Sequence, residues 1–219
     1  MPALRLPNGS TISVATAYDA AVDITALSNA KPAVATAGDH DYVNGDLIEV
    51  VSGWSLITDR VFRVAAAAAE AFSLERSDTT NIDRFPAGSG VGSARKVSTW
   101  QQLVGVMEPS ITGGEQQNYQ YGFLEDIGDD RQLPTTRSPM SLAVPMADNP
   151  DAPHHEVLLG IDEDRVPRAV KVVLPGGDLL VVSAIVTYNP VPTLQRNVGM
   201  VVTATLAFQG RPLRYNKLA

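Results

Sequence analysis

Cysteine is absent from the 219 residues. Disulfide staples and thiolate chemistry are excluded with it, and the absence accords with folding in a reducing cytoplasm. No run of about 18 apolar residues occurs, so no helical membrane span is expected. The start of the chain is short of apolar residues and carries Asn8-Gly9, so no signal peptide is expected. Basic residues are also in deficit: 17 Lys and Arg against 24 Asp and Glu give a net charge of −7. A tight, sequence-independent grip on the phosphate backbone needs the opposite balance. A surface that nucleic acid must slide past without adhering should be acidic or neutral, and the same charge also keeps an ordinary soluble protein dispersed.

The residues needed for chemistry are equally sparse. Histidine occurs only as His40, His154 and His155. Adjacent helical residues point about 100° apart, so the His154-His155-Glu156 run is a poor grip for one ion, and no His-Glu-x-x-His spacing exists. Both histidines are expected as partly exposed residues at a helix start. Asp126, Asp129 and Asp130 lack the twelve-residue calcium-loop pattern and its closing Glu, and are expected to be a solvated acidic loop. Gly88-Ser89-Gly90 lacks the frame of a nucleophile elbow. The alternating Gly88, Gly90 and Gly92 is not a dinucleotide fingerprint and has no βαβ unit around it. No catalytic residue, metal site or cofactor is assigned, and an enzyme is the least favoured class.

What is present is mostly β-signal. Residues 11–18 follow a turn at Pro7-Asn8-Gly9. Further β-type runs cover 47–51, 60–64, 71–75, 97–106 and 116–124. In the last of these Tyr119, Tyr121 and Phe123 alternate, which places three rings on one face. Residues 169–174 and 179–188 flank Pro175-Gly176-Gly177 and read as a hairpin. In 199–209, Met200, Val202, Ala204, Leu206 and Phe208 alternate with smaller or hydroxylated side chains. One helix is expected over 152–164, capped from Asp148-Asn149-Pro150-Asp151, with Pro153 in its first turn and a Val157, Leu158, Ile161 stripe. The alanines at 65–69 read as a strand end and turn despite their helix propensity.

Residues 125–139 read as a mobile arm between two strands, acidic first and then extended. Asp126, Asp129, Asp130, Arg131, Leu133, Thr135 and Arg137 are its candidate contact residues. The basic end of the chain, with Arg211, Arg214 and Tyr215, either frays or docks on a neighbour. Residues 25–96 have a separate rhythm of short strands and a Gly/Ser-rich exit at 86–93 that reads as a linker or wide loop. They are expected to form a small β-domain inserted into a main domain of residues 1–24 and 97–219. If that insert binds or decorates, exposed Tyr42 or Trp54 would be the contact points; otherwise Trp54 is core of the small domain.

Several phrases look familiar. They are Ser98-Thr99-Trp100-Gln101-Gln102-Leu103, Thr112-Gly113-Gly114-Glu115-Gln116-Gln117, Tyr121-Gly122-Phe123-Leu124-Glu125-Asp126, Gln132-Leu133-Pro134-Thr135-Thr136-Arg137-Ser138 and Phe208-Gln209-Gly210-Arg211-Pro212. Together with the helix and the hairpin they resemble the tail tube proteins (major tail proteins) of long-tailed phages with flexible tails. The resemblance covers the N-terminal arm and residues 97–219. The 25–96 segment, through Asn44-Gly45-Asp46, Gly53-Trp54 and residues 60–64 and 71–74, resembles a different thing, the FCCH-like β-module of phage proteins. It departs from that pattern at His40-Asp41, where His-Gly is usual.

The resemblance implies a mainly β protein: a tail-tube-type β-sandwich flanked by one α-helix. It implies hexameric rings that stack through a long loop and terminal arms into a tube in the virion. Tape measure protein would fill the bore first, and double-stranded DNA would pass later, without sequence-specific binding, on its way into the host. Tail terminator and distal tail protein would be further partners, and assembly would take place in the host cytoplasm. Within this reading the Thr203 and Thr205 face, or its hairpin neighbours, is the candidate bore lining. The alternatives are another ring-shaped tail component, a terminator or distal-tail protein, and a β-sandwich binding or decoration module.

Overall fold

The computed structural model describes residues 5–125 and 127–218. The chain opens with β1 (Thr11–Tyr18) and passes through β2 (Val22–Ile24), β3 (Ala26–Leu27), β4 (Ala33–Thr36), β5 (Leu47–Ser52), β6 (Arg60–Ala68) and β7 (Ala71–Leu74). It then forms β8 (Gly92–Leu103), β9 (Ser110–Thr112), β10 (Gln116–Tyr121), β11 (Arg131–Arg137) and β12 (Ser141–Ala147). The helix α1 (Pro153–Asp164) precedes β13 (Arg168–Val173), β14 (Leu179–Asn189), β15 (Val201–Phe208) and β16 (Leu213–Tyr215). The fold is mainly β, with one helix and a curled antiparallel sheet of the β-sandwich type.

One continuous hydrogen-bonded path runs β3-β4-β7-β6-β5-β8-β1-β13-β14-β15-β12-β9, with β16 paired to β14 and β2 to β8. Strand alternation explains the main core. Ile12 and Val14 of β1, Val170 of β13, Val182, Ala184 and Val186 of β14, Val202, Ala204 and Leu206 of β15, and Leu142, Val144 and Met146 of β12 all face inward. The helix covers this face with Leu158 and Ile161 buried and Val157 packed against them, as its stripe predicts.

The helix start differs from expectation. Ala152 is the cap residue and no side chain caps the first turn; Asn149 instead accepts from the Asp151 N–H in a local turn. His154 is not partly exposed but buried, because it falls on the core-facing side of the first turn. Its Nδ1 accepts weakly from the Val104 N–H at 3.5 Å. His155 meets the Tyr188 hydroxyl at 2.9 Å.

A second core fills the residues 25–96 region, with Trp54, Phe62, Phe72, Tyr42, Ile48 and Leu74 at its centre. The two cores are joined by a third cluster, Ala15, Leu47, Val61, Val97, Ala169, Val181 and Tyr215, which lies on the opposite face of β1, β13 and β14 from the helix. The junction is therefore packed, not tethered. β8 crosses it without a break: residues 92–96 pair with β5 while residues 97–103 pair with β1. The Gly/Ser-rich exit is correspondingly no linker at its end. A side chain at Gly92 would collide with the Val51 carbonyl, so glycine there permits the close strand approach.

Candidate assembly interface

The arm expected at residues 125–139 is the second half of a β-hairpin. β10 and β11 pair antiparallel, from Gln116 opposite Arg137 to Tyr121 opposite Arg131, with a bulge between Gln116 and Asn118. They form a two-stranded sheet separate from the main one. The expected irregular arm is thus corrected to an ordered ladder, because Arg131–Arg137 finds a partner in the aromatic strand before it. At the foot, Gly113 and Gly114 both take positive φ (83° and 89°), and a side chain at Gly113 would strike the Pro139 carbonyl. Only glycine allows the chain to swing out there. Ser138 ties the foot together: its hydroxyl accepts from the Glu115 N–H at 3.0 Å and donates to the Glu115 carboxylate at 2.6 Å. That bond holds the Glu115 carboxyl below its ordinary pKa.

The three rings do share a face: Tyr119 stacks on Tyr121 at 6.4 Å, and Tyr121 meets Phe123 edge-on at 5.8 Å. The Arg131 guanidinium lies 5.8 Å from the Phe123 ring. Nearly every residue of the hairpin is nevertheless exposed. Leu124 and Ile127 at the tip are exposed to 100% and 104%, and Leu133 to 52%. A lone two-stranded hairpin is marginal in water, and its exposed apolar side chains make it the candidate contact surface. Asp129 and Asp130 are exposed at the tip, and Thr135 is exposed on β11. Asp126 lies outside the described residues.

Two clefts lie at the hairpin's foot. The first, about 670 Å³, is lined by Gln116, Thr135, Thr136, Arg137 and Arg211 on one side and by Ser55, Leu56 and Arg84 on the other. The second, about 540 Å³, shares Arg137 and Arg211 and has Met140, Phe208 and Pro212 in its wall. Burial holds the nearby Arg60 guanidinium below its ordinary pKa, and Arg211 adds like-charge pressure. The role of Arg84 and Leu56 was not legible in the sequence, since nothing in a local pattern says that residues near positions 56 and 84 meet residue 137.

The remaining candidates divide. Arg211 stays exposed. Arg214 is taken up within the chain, donating to Asp178 at 2.8 Å, a carboxylate that also receives Arg5 at 3.0 Å. Arg214 foremost holds the Asp178 carboxyl below its ordinary pKa. Tyr215, expected to fray or dock on a neighbour, is wholly buried against the chain's own β6 region. Its hydroxyl accepts from the Arg63 N–H at 3.1 Å and donates to the Glu75 carbonyl at 3.3 Å. The Arg63 guanidinium sits 4.6 Å from its ring, pairs with both Glu75 oxygens and donates to the Asn216 carbonyl. The docking reading is corrected for Arg214 and Tyr215: β16 pairs with β14, which carries Tyr215 into the seam and sets the exposed Arg214 beside Asp178.

Tyr42 and Trp54 are corrected as well. They are not surface contacts but core, 5% and 2% exposed. Tyr42 donates to the Ala94 carbonyl and packs on His40 and Phe72, and Trp54 donates to the Pro86 carbonyl and meets Phe85 edge-on. Large aromatics with a satisfied polar end are well suited to such a core.

Among the described residues no group of three or more His, Asp or Glu is placed to hold a metal, and no helix is long and apolar enough to cross a membrane. The face of β14, β15, β12 and β9 turned away from the main core carries exposed Thr187, Asn189, Thr205 and Ser110 and half-buried Thr203, Ala143, Pro145 and Ser141, none of them charged.

No curated protein matches the chain. The family model described as phage tail tube protein, TTP, matches residues 52–217, beginning inside the segment expected to be an insert. That match spans most of the 219 residues, the exposed hairpin and both clefts included, and the chain belongs to the phage tail tube protein family.

Proposed function

We propose that the chain forms hexameric rings that stack into the conduit for DNA ejection, with the β10–β11 hairpin as the stacking arm. Membership of the tail tube family makes the protein a structural component of the virion tail and not an enzyme, and implies homo-oligomeric tube assembly. The observation that carries the finer reading is the hairpin itself: an ordered two-stranded ladder with fully exposed Leu124 and Ile127 at its tip. Such surface is suited to a contact that assembly covers. The uncharged, hydroxylated face around Thr203 and Thr205 supports its assignment as bore lining, because a surface without cations gives passing phosphates nothing to hold. Tape measure protein, tail terminator and distal tail protein would meet this tube, which would assemble in the host cytoplasm.

Residues 25–96 are proposed as a subsidiary unit of the same body. Their separate aromatic core supports this division. The burial of Tyr42 and Trp54 removes the contact points on which a decoration role rested.

Replacing residues 122–130 by an Asn-Gly turn tests the arm. The expected product sediments as a folded monomer at concentrations where the wild-type chain forms tubes. Long tubes from the shortened hairpin would refute the assignment.

A further inference from the structure

The clefts at the hairpin's foot hold a charge pattern that runs against the rest of the chain. Arg84, Arg137 and Arg211 converge on the first cleft, and no carboxylate lines either cleft. Among the described residues none of these three guanidiniums forms an ion pair or a side-chain hydrogen bond. The nearest acid at the foot, Glu115, is engaged by the Ser138 hydroxyl, so in a chain of net charge −7 this unpaired cationic cluster is poised for an anionic partner. The adjoining cleft supplies apolar surface from Met140, Phe208 and Pro212.

The hairpin tip has the complementary make-up. Residues 122–130 contain Glu125, Asp126, Asp129 and Asp130 and no Lys or Arg. Leu124 precedes these acids and Ile127 stands among them, both fully in solvent. We infer that the clefts are the socket for the hairpin tip of a second copy of this chain. Carboxylates of the tip meet Arg84, Arg137 and Arg211, and Leu124 or Ile127 enters the apolar cleft beside them.

A chain cannot fill its own socket. Tip and foot are opposite ends of a ladder whose six-residue strand β10 spans about 20 Å. The contact is therefore heterologous: each copy gives a tip and offers a socket. Such contacts propagate without limit unless they close, as growth along a tube axis requires. Arg84 and Leu56 come from residues 25–96, so that segment forms part of the receiving surface. The inference rests on the arm reading and names the surface the arm meets.

Charge reversal in the full chain tests it. Arg137→Glu with Arg211→Glu should raise the critical concentration for tubes by about tenfold or more, as should Asp129→Lys with Asp130→Lys, because each sets like charges against one another. Far-ultraviolet circular dichroism shows whether each variant is folded. A chain carrying all four substitutions restores opposite charges and should regain tubes at near the wild-type concentration. If reversal at the tip blocks tubes while reversal at the foot does not, the socket is overturned and the arm stands. If neither reversal nor the shortened tip affects tubes, the arm itself falls. If the foot variant keeps its tubes but loses binding to a short duplex DNA that the wild type holds, the cleft is a phosphate site and the socket is refuted.

Discussion

Substitution of Tyr215 measures how firmly the two cores are joined. The residue is wholly buried at the seam formed with Ala15, Leu47, Val61, Val97, Ala169 and Val181. Tyr215→Phe keeps the ring and removes the hydroxyl, which leaves the buried Arg63 N–H without its acceptor. An unsatisfied buried donor costs about 1–3 kcal/mol. Tyr215→Ala also opens a cavity and strips the ring from the Arg63 guanidinium, for a total of about 3–5 kcal/mol by analogy with other buried aromatics. For a chain of this size each kcal/mol lowers Tm by about 2–4 °C. The expected losses are about 2–12 °C for the Phe variant and about 6–20 °C for the Ala variant, read by circular dichroism on monomer. Alkaline pH adds a second readout. Burial foremost pushes the Tyr215 phenol up to about 12. Above pH ~10 the unfolded phenol ionises while the folded one keeps its proton, so the unfolded state binds fewer protons and stability falls as pH rises toward 12. The slope from this residue is about 1.4 kcal/mol per pH unit, so the gap between wild type and Tyr215→Phe should narrow between pH 10 and 12. An Ala variant that melts within a degree of the wild type, or a gap indifferent to pH, would refute a packed seam.

Further outcomes follow from the same structure. Leu158→Ala should destabilise by about 2–5 kcal/mol, measured by urea unfolding, since Leu158 anchors the helix on the main core. Burial, with His155 adding to it, holds the His154 imidazole below its usual pKa. The unfolded state therefore takes up this proton first, and stability should drop as pH falls below about 6.5. His154→Gln should flatten the difference in Tm between pH 7.5 and 5.5, and an unchanged difference would count against a buried neutral imidazole. Excising residues 25–96 should give an insoluble or unfolded product, because Val181, Ala169 and Tyr215 lose their cover; a soluble, folded remainder in a solubility and circular dichroism assay would contradict this.

Elements with strong local signals were legible from the sequence. β1 falls where β-type residues follow Asn8-Gly9, and β13 and β14 flank Pro175-Gly176-Gly177, whose two glycines take positive φ. The alanine run does end a strand: Ala66 takes a φ of 47° and the β6–β7 register slips between Ala65 and Ala68. β12 was hidden by Pro145, although Leu142, Val144 and Met146 alternate. The strand tolerates it because β9 pairs only with Ser141, Leu142 and Ala143, and the 105–107 segment beyond it uses only the Pro145 carbonyl, which accepts from the Met107 N–H at 2.9 Å. β2, β3 and β4 are two to four residues long and carry little periodicity. The hairpin was half visible through its alternating aromatics. Its foot was not, since the socket joins residues 56, 84, 137 and 211 through tertiary contact. The surface reading of Tyr42 and Trp54 gave way to core, the alternative already open for Trp54, because aromatic residues among turn signals fit either and only packing decides.

Electron microscopy of the purified chain over a concentration series tests the central claim most directly. The account predicts uniform tubes that lengthen with concentration and show sixfold rings end-on. Monomers that persist at every concentration would contradict it.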